Sequence, residues 1–208
     1  MTVASSSEIA ERYQRIREEL GAGVTVVAAT KYVSLADMGA LADAGIEVVG
    51  ENRAQDLLAK HEEYGDAFRW HFIGHLQSNK VKVLNPICEL VHSLASDSAA
   101  RRLEVPALVE VNLTGEESKS GVAPEEAAGL VERYSNVRGL MTMPPLAGDP
   151  EESREHFRRV RELAGALGLP ELSMGTSQDY RVAVEEGATL VRIGELLFRP
   201  TGSDGRRD

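Results

Sequence analysis

The chain has 208 residues, 42% hydrophobic and 27% charged, with a formal net charge of -10 at pH 7. That length suits one domain with a proper core, and no stretch reaches the apolar length of a membrane span. The acidic balance argues against general nucleic-acid binding. The single cysteine, Cys88, excludes an intramolecular disulfide and reads as a small core residue within the apolar stretch 87–91. Residues 1–7 lack the basic and apolar regions of a signal peptide, so a cytoplasmic protein is expected.

Along the chain, Ile9, Tyr13, Ile16 and Leu20 form the apolar stripe of a first helix, with Ser5 and Glu8 placed as its capping box. An apolar strand follows over 24–30 and ends at Lys31. Ser34 and Asp37 then open a helix carrying Leu35, Met38 and Leu41, which Gly45 is placed to end. Further strands are expected at 47–50, 69–73, 90–94, 107–112, 138–143, 171–174 and 189–193. Each is short, β-branched or aliphatic, and bounded by Gly, Pro, Asn or Ser. Pro124 opens a helix over 125–134. Phe157, Val160, Leu163 and Ala164 mark a longer one starting near 149–152. Another begins near Gln178.

Alternating strands and helices imply a parallel sheet with helices outside. Eight strands favour an α/β fold of the (β/α)8 TIM-barrel type, compact against the roughly 250 residues typical of it. An open doubly wound sheet is the alternative. After strand eight little remains before 201–208, which reads as a disordered tail. The expectation is one barrel domain over 1–200 with a truncated last helix. The first helix is expected to cover the gap between strands eight and one.

Lys31 then sits at the functional, C-terminal end of strand one. A partly desolvated lysine there would be a nucleophile suited to carbonyl compounds; a plain solvated strand end is the competing view. Gly175-Thr176-Ser177 after strand seven and Gly194-Glu195 after strand eight offer small residues, a hydroxyl and backbone N–H groups for an anion. Ser177 as an ordinary N-cap stays open. Arg192, between Val191 and Ile193, is either a surface residue or a buried cation with its own acceptor. Closure of the barrel places these segments in one arc. An amine, an anion site and a polar partner for a ring nitrogen together fit pyridoxal 5'-phosphate. No metal set stands out, and His71 and His75 are expected in structural or supporting roles. Lys80 and Lys82 read as solvent-facing, Lys119 as a loop lysine.

Several segments also resemble one family. They are Gly50-Glu51-Asn52-Arg53, His71-Phe72-Ile73-Gly74-His75-Leu76-Gln77-Ser78-Asn79-Lys80, Gly115-Glu116-Glu117-Ser118-Lys119-Ser120-Gly121-Val122, Gly139-Leu140-Met141-Thr142-Met143-Pro144, Leu172-Ser173-Met174-Gly175 and Val191-Arg192-Ile193-Gly194. In this order they resemble the pyridoxal phosphate homeostasis proteins, which are similar to the barrel domain of alanine racemase. The resemblance implies that Lys31 carries the cofactor as an aldimine, and that Ser177 and the backbone of Gly194 and Glu195 hold its phosphate. It implies further that Arg192 faces the pyridine nitrogen and that Asn52 lies close by. Thr176, Glu195 and Arg199 depart from the usual family residues, and the connection 96–104 looks short. Glu195 is expected to use its N–H and turn its carboxylate outward, since a carboxylate facing a phosphate is repulsive.

The function implied by the resemblance is that of a non-catalytic vitamin B6 binding protein that buffers the cofactor, with apoenzymes as partners; a monomer is expected because no clear exposed apolar seam stands out. An arginine opposite the ring nitrogen does not protonate it, which weakens the ring as an electron sink. An amino-acid racemase is the enzyme alternative, and a Schiff-base aldolase a third.

Overall fold

The computed structural model describes residues 3–115 and 120–200. Its strands are β1 (Thr25–Ala29), β2 (Val48–Glu51), β3 (Arg69–Phe72), β4 (Leu90–Leu94), β5 (Ala107–Glu110), β6 (Val137–Met141), β7 (Glu171–Thr176) and β8 (Leu190–Ile193). They pair in parallel in chain order, and β8 closes onto β1 through Val26 with Val191 and Val27 with Arg192. The closed barrel is therefore present and the open sheet is not. All eight expected strands lie within a few residues of their sequence positions. The main differences are at C-terminal ends: β7 runs past Met174 to Thr176, while β5 and β6 stop two residues early, at Glu110 and Met141. Lys119 and the expected tail at 201–208 lie outside the described residues.

The helices are α1 (Ser6–Leu20), α2 (Met38–Asp43), α3 (Ala54–Tyr64), α4 (Val81–Leu84), α5 (Asp97–Ala100), α6 (Pro124–Arg133), α7 (Arg154–Ala166), α8 (Tyr180–Glu185) and α9 (Glu195–Phe198). Single-turn α4, α5 and α9 explain how eight strand–helix units fit so short a chain. The trimmed helix in 96–104 and the short last helix are both there. Leu35 departs from expectation: it lies in a 3₁₀ turn before α2 and is 38% exposed. Ser34 still caps that turn, accepting the Asp37 N–H at 3.2 Å.

Two cores hold the barrel. Outside the sheet, helix stripes such as Phe157, Val160 and Ala164 of α7 pack against the strands. Full burial of a side chain the size of Phe157 contributes roughly 1.5–3 kcal/mol. Inside, Val27, Val48, Leu90, Leu108, Met141 and Leu190 fill the barrel. Helix α1 starts with the expected capping box, in which Glu8 accepts the Ser5 N–H at 2.9 Å. It packs against α2 on one side and α9 on the other. The Ala4 N–H donates to the Phe198 carbonyl at 3.0 Å, and Tyr180 Oη donates to Glu19 at 3.2 Å. The first helix therefore lies over the seam between β8 and β1, as its position predicts.

Candidate functional site

Lys31 leaves β1 at the C-terminal mouth of the barrel. Alternation along the strand puts 27, 29 and 31 on the inward side. Of the two sequence readings of Lys31, the structure has the solvated strand end: Lys31 is exposed, with its ammonium 4.6 Å from the Tyr32 ring centroid. The buried lysine is Lys60 of α3, which sequence reasoning missed. Lys60 Nζ pairs with Glu51, itself 0% exposed, and donates to the Thr30 carbonyl at 3.0 Å. Thr30 Oγ1 donates to Glu51 at 2.8 Å, and the Thr30 N–H to the Gly50 carbonyl at 2.9 Å. This buried ion pair clamps the ends of β1 and β2 directly beneath Lys31. The signal was present: Ala54, Leu57 and Lys60 share one helical face, so a lysine falls on an apolar stripe.

Asn52 follows β2, its N–H donating to Glu51 at 3.1 Å. Gly74 lies against its backbone so closely that any Cβ at 74 would overlap the Asn52 carbonyl. Only glycine lets these two mouth loops touch.

The anion segment is built by β7 and β8. Gly175 has φ +91°, and a Cβ there would sit 2.6 Å from that of Ala183. This turn lays 176–177 across the mouth. Asp179 accepts the Thr176 N–H at 2.8 Å, and α8 starts at Tyr180 rather than near Gln178. Ser177 does not cap α8. Its Oγ accepts the N–H groups of Gly194 and Leu196 at 3.4 Å each, at the start of α9. Bonds that long are weak, so an anion can take those donors at small cost. Gly194 in turn lies against Ala29, where a Cβ would come 3.1 Å from the carbonyl. Ser177, Gly194 and the end of β1 are thus one patch. The Glu195 carboxylate is 67% exposed and 3.6 Å from Arg199, turned outward as expected.

Arg192 is only 5% exposed, so it is a buried cation, yet no carboxylate among the described residues bonds it. Nη1 donates to the Ser173 carbonyl at 2.9 Å and to Ser173 Oγ at 2.5 Å; Nη2 donates to the Thr142 carbonyl at 3.0 Å. Among the described residues, Nε–H has no protein acceptor. Burial pushes its pKa down to about 10, which leaves it cationic at neutral pH. Glu110 of β5 also lines the barrel, 8% exposed. Burial raises its carboxyl above the usual range, against the opposing pull of Arg192 and His75.

Below Arg192 lies a pair of histidines. His71 Nδ1 is 2.9 Å from His92 Nε2, and His92 Nδ1 is 2.8 Å from Ser173 Oγ. The supporting role expected for His71 fits this placement, while His75 is exposed and apart from it. His92, in the wholly buried β4, was overlooked. No group of metal-ligating side chains is present among the described residues. Burial lowers both imidazoles, His71 to about 4 and His92 well below 6.5. The unfolded chain therefore binds protons near pH 6.5 that the folded chain refuses. Their contribution to stability is complete above pH 6.5 and should be lost as pH drops toward 4, with a slope approaching two protons per molecule. Urea midpoints measured from pH 7 to 5 should show this slope, and His92→Gln should flatten it.

A cavity of about 340 Å³ opens at the other, N-terminal end, lined by Thr25, Arg69, His71, Glu89 and Glu171 among others. It holds neither the amine nor the anion donors. That end of a barrel usually serves stability, and the donors that make the candidate site all lie at the mouth.

Known proteins share both the sequence and this architecture. The alanine racemase N-terminal domain family matches residues 5–201. A protein of Aquifex aeolicus named pyridoxal phosphate homeostasis protein is 43% identical, the match covering 92% of this chain and 95% of that one. A Pseudomonas aeruginosa protein of the same name is 38% identical, covering 93% and 94%. Among solved structures, PipY of Synechococcus elongatus with PLP bound superposes with a TM-score of 0.84 at 32% identity, over 91% of this chain and 99% of that one.

Proposed function

The chain belongs to the pyridoxal phosphate homeostasis protein family, and from that premise we propose that it binds pyridoxal 5'-phosphate at the barrel mouth and holds it in reserve. The observation that carries this is the donor set. One arc offers a primary amine at Lys31, anion donors at Ser177, Gly194 and Glu195, and a buried cation at Arg192 with an N–H that no described protein group accepts. That combination fits an aldehyde, a phosphate and a ring nitrogen on one small molecule.

The bound group supplies an aldehyde that condenses reversibly with an amine, and a ring that withdraws electrons well only when its nitrogen is protonated. Lys31, exposed at the mouth, is the amine. Ser177 and the backbone of 194–196 orient the phosphate, and Asn52 closes the side next to β2. Arg192 donates to the ring nitrogen and keeps that nitrogen an acceptor, because a guanidinium does not give up its proton at neutral pH. Weak electron withdrawal favours storage over turnover. Work as a cytoplasmic monomer that passes the cofactor to apoenzymes belongs to the same proposal.

The test is a spectral titration of purified protein with pyridoxal 5'-phosphate, followed by borohydride reduction and peptide mapping. We expect a band near ~420 nm, lost on reduction, with the label on Lys31. Label on another residue overturns the site. An amino-acid racemase is the competing reading. Deuterium exchange at Cα of alanine at roughly 1 s⁻¹ or faster, an ordinary enzyme rate, would overturn the storage role.

A further inference from the structure

Arg192 heads a buried hydrogen-bonded file that crosses the barrel from β8 to β3. Nη1 of Arg192 meets Ser173 Oγ at 2.5 Å, Ser173 Oγ meets His92 Nδ1 at 2.8 Å, and His92 Nε2 meets His71 Nδ1 at 2.9 Å. All four side chains are buried. Arginine can only donate, so its proton occupies one lone pair of the Ser173 hydroxyl. Among the described contacts of Ser173 Oγ the one acceptor for its hydrogen is His92 Nδ1, so full satisfaction of the hydroxyl makes that nitrogen an acceptor. A neutral His92 therefore carries its proton on Nε2 and gives it to His71 Nδ1. His71 is left with its proton on Nε2, the one buried side-chain polar atom without a partner among the described residues. The file has a single proton order, and its loose end is a donor beside the N-terminal cavity.

The file solves a problem that Arg192 has. Glu110 faces the same interior and attracts the guanidinium, yet no ion pair joins them. Instead the guanidinium is held on Ser173 and the Thr142 carbonyl. A free Ser173 hydroxyl could rotate and would hold Arg192 poorly. One fixed by His92 presents its lone pair in one direction only.

We propose that His92 and His71 are positioning residues, which lock Ser173 so that Arg192 is kept off Glu110 and its Nε–H is presented to the cofactor ring. This inference rests on the cofactor proposal above. The charged and titratable groups facing the pair are Arg192 for His92, and Arg69 and Glu89 for His71.

Two measurements test it. In the ligand-free chain, nitrogen-15 NMR at pH 7 should show His71 and His92 both neutral and both protonated at Nε2. A proton on Nδ1 of His92 overturns the file. With pyridoxal 5'-phosphate, His92→Leu should weaken binding roughly tenfold and move the absorption maximum toward that of Arg192→Gln. His92→Gln, which can accept from Ser173 and donate to His71, should restore both. So should Glu110→Gln added to His92→Leu, because the carboxylate that attracts Arg192 more strongly than Asp179 does is gone. Should His92→Leu fail to fold, Ser173→Ala is measured in its place. Native spectrum and affinity in these variants, beside an altered Arg192→Gln, overturn the positioning role alone. A wild-type chain that takes up no pyridoxal 5'-phosphate overturns the cofactor proposal and this inference with it.

Discussion

Lys31→Ala is expected to fold as the wild type does and to lose borohydride-fixed cofactor completely. The folded state loses little, because Lys31 is exposed and its described contact is the Tyr32 ring. An exposed cation–π pair is worth about 0.5–1 kcal/mol. The functional loss is total because no other described lysine can stand in. Lys60 is locked in its pair with Glu51, and Lys80 and Lys82 lie beyond β3 near α4, away from the β7–β8–β1 arc. Reversible binding through the phosphate and ring should survive, weakened about a hundredfold, or roughly 2.7 kcal/mol. Equilibrium dialysis gives the affinity, and mass spectrometry after reduction gives the covalent fraction. Wild-type stoichiometry of label on Lys80, Lys82 or Lys119 in this variant would reassign the anchor.

Lys60→Met should be the most destabilising of the single substitutions considered. It leaves the Glu51 carboxylate, 0% exposed, without its counter-charge. Breaking a buried pair from one side costs about 3–5 kcal/mol, against a total stability of about 5–15 kcal/mol for a domain. Urea unfolding should show a lower midpoint with an unchanged slope. The double variant Lys60→Met with Glu51→Leu should recover most of the loss, because the stranded charge is removed as well. A single-variant loss below about 1 kcal/mol would mean that water reaches the pair. Cofactor trapping at Lys31 should also slow, since Lys60 holds the carbonyl of Thr30, the residue before the anchor.

The barrel was legible because its strands are short apolar runs between breakers, and that pattern does not depend on distant contacts. The helix over the seam was legible for the same reason, through Ser5, Glu8 and the Ile9–Tyr13–Ile16 stripe. The site was legible in part. Lys31, Ser177, Gly194 and Arg192 stand at strand ends, where the fold itself assigns position. Burial is a tertiary property and stayed open in the sequence: of the two readings of Lys31 the solvated strand end is the one found, and the buried lysine, Lys60, sits on a helix. The role of Ser177 toward α9, and the His92–Ser173–Arg192 contacts, join residues far apart in sequence. His92 left only the faint trace of a polar ring inside an apolar strand.

The β1–β8 seam has a kinetic consequence. Thr25 pairs with Leu190, so the arc that carries the amine, the anion donors and the buried cation forms from opposite ends of the described chain. Closing so long a loop is entropically costly and is rewarded only when the last strand arrives. A partly synthesised or partly folded chain therefore has Lys31 but neither Arg192 nor the 194–196 donors beside it. Reactive aldehyde should be captured specifically only by a finished barrel, so the rate at which trapping competence appears during refolding is a direct clock for ring closure.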